Sequence, residues 1–271
     1  MSRLPLAGWI GALIVGITVL TALVSLVWTP YDPVHAMPYD RLLGSSTEHL
    51  LGTDRYGRDV FSRIMAGARI TLFVGLVAVG ISALFGVPFG ILAGMRRGLA
   101  ETLIMRGADL LLAFPALLLA IVAGATFGPS TLTAMTAIGI AGIPGFARVA
   151  RAGTLQVMTQ DYISSARVSH VPGLVIAGRH VLPNIAGVII VQVSVAFALA
   201  ILAEAALSFL GLGTSPPDPS WGRMLQSAQA SLGSAPQLAL WPGLAIALTV
   251  LGFNLLGDGL RDVLDPQRSR R

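Results

Sequence analysis

The side chains able to do chemistry are few and scattered. Four histidines (His35, His49, His170 and His180) and 13 carboxylates are the whole acid–base stock of 271 residues, and cysteine is absent. Nucleophilic catalysis needs a nucleophile held beside a base, and metal chemistry needs clustered His, Cys, Asp or Glu ligands. The histidines fall in polar connecting stretches without such companions, so neither a metal site nor a catalytic residue is expected. All 18 basic residues are arginines. Without lysine the chain can form neither a Walker-type phosphate loop nor a Schiff base. If nucleotide hydrolysis drives this protein, another chain performs it.

One acid is set apart by its surroundings. Glu204, in AILAEAALSFLGLG, lies within a long apolar run. An intramembrane carboxylate is costly unless it is paired, and it points to function by default. A proton relay needs further titratable groups at similar depth, and the sequence offers none. Glu204 is therefore expected either to make a structural hydrogen bond or to face a translocation path.

The elements that must position these residues are membrane spans. The chain is 54% hydrophobic and only 11% charged, against about a quarter charged in soluble domains. Residues 6–28 carry no charge and are long enough to cross about 30 Å of hydrocarbon. They lack the short core and small-residue cleavage site of a signal peptide, so an anchor is expected. Spans at 70–93, 110–127, 131–146, 185–210 and 238–256 complete six transmembrane helices, an all-α membrane protein. Glycine and proline inside them are tolerable where neighbouring helices satisfy the backbone. Gly75, Gly80 and Gly86, and Gly139, Gly142 and Gly145, are candidates for close helix approach.

Arginine placement sets the expected orientation. Arg96, Arg97, Arg106, Arg148, Arg151, Arg167, Arg179 and Arg261, with Arg3, Arg268, Arg270 and Arg271, fall on one side of the spans. The other side holds Arg223 and a group confined to the first long loop and its edge. The bias predicts both termini inside. The net charge of +5 is then explained by loops flanking a membrane, without nucleic acid.

Three polar stretches remain. In LGTDRYGRDVFSRIMAGAR, residues 51–69, Gly52 and Gly57 mark turns, and Asp54, Arg55, Arg58, Asp59 and Arg63 alternate in charge. A salt-bridged external scaffold leading to an interfacial amphipathic helix is expected, with contact to substrate or a binding protein as the functional alternative. Residues 211–236 carry TSPPDPSWGRML, a stiff extended proline segment with Trp221 as an interface anchor. The third stretch, residues 161–184, reads DYISSARVSHVPGLVIAGRHVLPN. Thr159 or Asp161 can cap a helix there. Tyr162, Ile163 and Ala166 recur as a small apolar face, with Ser164 and Arg167 turned elsewhere. Pro172-Gly173 has the signature of a type II turn. Pro183 falls in the first turn of the fifth span.

Taken together, LGTDRYGRDVFSRIMAGAR, LLLAFPALLLA, AEAALSFLGLG followed by PPDPSWGRML, and FNLLGDGLRDVLDP resemble one family. It is the second permease subunit of binding-protein-dependent ABC importers for dipeptides, oligopeptides and nickel. The resemblance implies a type I importer permease fold, an N-terminal helix plus a five-helix core. Residues 1–66 would hold that helix and an external loop, and residues 67–271 the transmembrane domain with a cytoplasmic coupling loop at 150–184. It also implies a sister permease forming a heterodimer, two ATPase subunits carrying ATP and magnesium, and an extracellular or periplasmic binding protein. This chain itself would bind no cofactor and would sit in a bacterial-type inner membrane.

In that family the loop between the fourth and fifth spans carries Glu-Ala-Ala, a glycine four residues on, and a later Leu-Pro. Those slots hold Ser164, Ser165 and Ala166, then His170, then Leu182 and Pro183. The resemblance thus assigns contact with the ATPase to Asp161, Tyr162, Ile163, Ser164, Ser165, Ala166, Arg167, His170, Pro172, Gly173, Leu182 and Pro183. Histidine adopts the left-handed backbone of a glycine slot far less readily, so the chain reversal is expected to move to Pro172-Gly173. An ion-coupled secondary transporter is the alternative. It needs midplane acids and preferably an inverted repeat; only Glu204 qualifies, and no repeat is evident.

Overall fold

A backbone in hydrocarbon satisfies its N–H and C=O groups only within helices or closed barrels, and this chain takes the helical route. The computed structural model describes residues 4–264, in which every regular element is helical. In chain order these are α1 (Leu6–Val24), α2 (Val60–Met95), α3 (Leu99–Leu112), α4 (Ala116–Phe127), α5 (Thr131–Val157), α6 (Asp161–Val168), α7 (Gly173–Ile176), α8 (Leu182–Phe209), α9 (Trp221–Ala228) and α10 (Gln237–Leu264). By length and apolarity α1, α2, α5, the run from α7 through α8, and α10 can each cross a membrane, and α3 with α4 makes a sixth crossing if that bent pair is one span.

The chain runs up and down. One end of the bundle carries α6, α7, the 96–98 turn and the C-terminal end of α10; the opposite end carries α9 and the loops 25–59, 128–130 and 210–236. These are called the α6 end and the α9 end below. Arg3, Arg268, Arg270 and Arg271, and the Asp265-Pro266 close of the last motif, lie outside the described residues.

Several spans depart from their expected limits, and paired charges are the main reason. No separate interfacial helix precedes the second span. The Asp59 carboxylate accepts the Ser62 N–H at 2.7 Å, capping a helix that continues for 36 residues through Arg63, Arg69 and Pro88. Arg63 does not break it, because its guanidinium is buried and donates to the Pro33 carbonyl at 2.6 Å. Helix α5 likewise runs past Phe146 to Val157. Its arginines find partners on α3: Arg148 donates to Asp109 at 2.6 Å, and Arg151 Nε to Glu101 at 2.8 Å. The third span, expected to contain Pro115, is broken there by 78°. Proline disfavours helical geometry at Phe114 before it, and α4 restarts with Pro115 as its N-cap.

Small residues set the helix spacing. The largest interface joins α2 to α5. A Cβ added at Gly86 would lie 2.6 Å from Phe146 Cβ, and one at Gly94 would lie 2.6 Å from Thr154 Cβ. Gly90 is equally tight, with Ala150 Cβ at 2.7 Å. Gly75, Gly139 and Gly142 also face neighbours closely, whereas Gly80 faces open space and Gly145 meets only Gln192. Away from this core, α1 packs along α10, with Gly8 against Gly259 and Gly11 against Gly252. The hydroxyls of Thr18 and Thr249 hydrogen-bond there at 3.2 Å.

Candidate functional site

Helix α6 and the reversal after it project from the bundle. Eight residues give a knob about 12 Å long. Gln160 is the N-cap without a side-chain cap bond, while Thr159 Oγ1 donates backwards to Gln156. Neither expected capping side chain acts as a cap, although Asp161 in the first turn complements the helix dipole. Ile163 is fully buried and Ala166 half-buried in the bundle core with Ile176 and Val181. Of the apolar face read from sequence, Ile163 and Ala166 anchor the knob to its own chain, and Tyr162 does not. Tyr162, Ser164, Ser165 and Arg167 remain exposed, and the Tyr162 ring lies 6.0 Å from that of His180.

The reversal is not displaced. His170 has φ +54°, its N–H donates to Arg167 O at 3.0 Å, and the Val171 N–H donates to Ala166 O at 3.0 Å. These two bonds form a Schellman cap, which places its left-handed residue one position beyond the helix cap whatever residue stands there. Pro172 follows with φ −58° and ψ 141° as the N-cap of α7, and Gly173 is the first helical residue. A type II turn needs positive φ at Gly173, and none occurs. The reversal thus falls at the slot where the resemblance implies glycine, with histidine in it. Val168 and Leu174 flank it at 81% and 89% exposure. Sequence periodicity missed both; the available signal was two apolar residues bracketing a turn in a polar stretch.

Leu182 and Pro183 open α8, but in the middle of a continuous helical run. Proline lacks an N–H and its ring crowds the carbonyl four residues back. A π-helical segment, Ala177–Val181, precedes it, closed by the Leu182 N–H on Ala177 O. The wider turn accommodates proline without ending the helix. A groove of about 730 Å³ opens beside this segment, bordered by Leu92, Arg96, Arg167, Pro172, Leu174 and Leu182.

At the α9 end the charged motif builds a scaffold. Gly52 and Gly57 have φ of +78° and +76°, which side-chain-bearing residues rarely adopt. Asp54 accepts from the Tyr56 N–H at 2.8 Å, the Arg58 N–H at 3.1 Å and Arg58 Nε at 2.8 Å, with Arg63 Nε at 3.7 Å. Buried Asp59 accepts from Ser62 Oγ at 2.7 Å and contacts His49 Nδ1 at 3.0 Å.

Glu204 is 1% exposed. It accepts from Ser208 Oγ at 2.7 Å and Thr214 Oγ1 at 3.4 Å, while Ser208 Oγ accepts the Thr214 N–H at 3.0 Å. The segment after α8 thus turns back over the helix end instead of extending. Trp221 is also no interface anchor: it is buried, and Nε1–H donates to Ile64 O at 3.0 Å.

Long apolar helices with a loop at one end and a braced cap at the other describe a multi-pass membrane protein. Residues 86–270 match the family model for the binding-protein-dependent transport system inner membrane component. The glutathione transport system permease protein GsiD of Pectobacterium atrosepticum is 44% identical over 94% of this chain and 87% of its own. The dipeptide transport system permease protein DppC of Alkalihalophilus pseudofirmus is 42% identical over 95% of this chain and 85% of its own. A chain of the MetNI methionine ABC transporter in an inward-facing conformation superposes with a TM-score of 0.61 at 14% identity. That match covers 74% of this chain and 96% of the other. The chain belongs to the family of binding-protein-dependent transport system inner membrane components, and it is a permease subunit of an ABC importer with the type I fold.

Proposed function

We propose that this chain forms half of the translocation pore of a heterodimeric importer for small peptides, of dipeptide to glutathione size. The α6 end faces the cytoplasm and docks an ATPase, while the α9 end faces outward and receives the binding protein. Arg96, Arg97, Arg106, Arg148, Arg151, Arg167, Arg179 and Arg261 gather toward the α6 end, which supports this orientation. ATP and magnesium act on the partner ATPase subunits, and this chain contributes no catalytic residue. The relatives named for glutathione and dipeptide transport support peptides as cargo ahead of nickel.

The observation that carries the docking role is the exposed Val168–Leu174 pair on a reversal held rigid by its own cap. Apolar side chains at this exposure gain by burial against a partner. ATPase closure would pull the knob with the rigid α7–α8 run behind it, and the two states differ in the contacts made there. Glu204, buried against Ser208 and Thr214, fastens the outer loop to α8 in this scheme.

The test is co-purification of the ATPases after Val168→Asp with Leu174→Asp, and peptide uptake by proteoliposomes loaded with ATP but lacking an ion gradient. Loss of the ATPases from an intact permease pair is expected. Full assembly and undiminished uptake in the double variant would sink the docking role. Uptake that needs an ion gradient in place of ATP would favour a secondary transporter.

A further inference from the structure

At the α6 end two arginines go unanswered. Arg148 and Arg151 are taken by carboxylates of α3. Arg96, the C-cap of α2, and Arg167, in the last turn of α6, are exposed and have no carboxylate partner among the described residues. Both border the groove of about 730 Å³ beside the π-helical segment, although they come from elements far apart in sequence. The floor of that groove is apolar, with Val87 and Ile91 of α2 and Ile176 of α7 buried beneath it. From Val87 to Arg96 the helix rises about 14 Å at 1.5 Å per residue. That is close to one leaflet, half of the roughly 30 Å of hydrocarbon. Phe85, Phe89 and Leu92 are exposed along the same stretch of α2. Their helical spacing places them on one face, so an apolar flank adjoins the groove.

We propose that the groove binds one anionic phospholipid, with an acyl chain along Val87 and Ile91 and the phosphate answered by Arg96 and Arg167. Charge, length and lining select this occupant together. A phosphate forms charge-assisted hydrogen bonds with guanidiniums, and basic pockets between spans take anionic head groups. A neutral lipid would leave both arginines unanswered, and a soluble anion would leave the apolar floor unfilled. Leu174 stands on the rim of the groove as well as in the docking pair. A lipid seated there packs between α2 and the reversal, bracing one against the other. The inference needs only helices that cross the membrane with the α6 end at one face; it is independent of cargo and of the binding protein.

The experiment uses the full transporter in nanodiscs made from equal parts phosphatidylglycerol and phosphatidylcholine. Lipids that remain after transfer to detergent are counted by native mass spectrometry, and phosphatidylglycerol is then titrated back. Its affinity is expected to fall about fivefold in Arg96→Gln and about thirtyfold when Arg167→Gln is added. Arg96→Lys should keep most of the affinity, and Arg97→Gln, outside the groove, should keep all of it. Assembly is read from co-purification of the ATPases; if the double variant fails to assemble, Arg96→Gln alone decides. Equal retention of the two lipids by wild type, or equal loss in Arg97→Gln, would reduce the effect to general attraction for a charged bilayer and overturn the site. Displacement of phosphatidylglycerol by equimolar glycerol phosphate would make it a site for soluble anions and overturn the lipid. A photo-crosslinking residue placed at Leu92 should capture lipid; capture of an ATPase peptide instead would give the groove to that subunit and overturn the proposal.

Discussion

Replacing His170 with glycine should strengthen the α6 knob. In the structure His170 has φ +54° and closes the Schellman cap of α6. A left-handed backbone costs an L residue about 1–2 kcal/mol relative to glycine. Glycine returns about 0.5–1 kcal/mol of this through its greater freedom in the unfolded chain. The difference leaves His170→Gly about 0–1.5 kcal/mol more stable locally, which slows opening of α6 by up to about tenfold. His170→Val should act the other way, since a β-branched side chain fits positive φ worst. Hydrogen exchange of peptides covering 161–171, followed by mass spectrometry on the assembled complex, measures both. Gly173→Ala is the internal control. A Cβ there meets nothing within 4 Å and sits in a helical first position, so alanine should leave protection equal or raise it by up to about 1 kcal/mol. Faster exchange in His170→Gly, or marked loosening in Gly173→Ala, would refute the placement of the reversal.

Two further predictions concern the bundle. Gly90→Ala pushes a methyl to 2.7 Å from Ala150 Cβ and should cost about 1–3 kcal/mol by overpacking; Gly80→Ala, into open space, should not lower the melting temperature of the detergent-solubilised complex. Glu204→Gln keeps an acceptor for Ser208 and should hold the 211–220 loop, whereas Glu204→Ala orphans buried hydroxyls at about 1–3 kcal/mol each. Limited proteolysis of that loop separates the two, and equal cleavage would discount Glu204 as its fastening.

The helices were legible because apolar runs of 18 or more residues have few alternatives. Their ends were not. Reading stopped the fourth span near Phe146 because Arg148 and Arg151 follow, and only the fold shows Asp109 and Glu101 waiting on α3. Arg63 concealed the true start of α2 in the same way. At the knob, the positions of the motif were readable, but which side of α6 turns inward depends on Ile176 and Val181, residues beyond the turn. The reversal at His170 defied residue preference because two backbone hydrogen bonds outweigh one unfavourable φ. Trp221 looked amphipathic and exposed; its Ile64 partner lies 157 residues away and leaves no local trace.

The pairing of α1 with α10 has a consequence for the birth of the protein. Thr18 and its partner Thr249 are separated by 231 residues. At about 5–20 residues per second, a ribosome needs about 12–46 s to make the second after the first. During that interval α1 stands in the bilayer without its larger neighbour, and its exposed Trp9, Leu13, Ile17 and Leu20 suit it to lipid. Its glycines, Gly8 and Gly11, stay uncovered until α10 arrives. The first helix thus has only α2 to pack on until the last one is made, and its larger seam closes last.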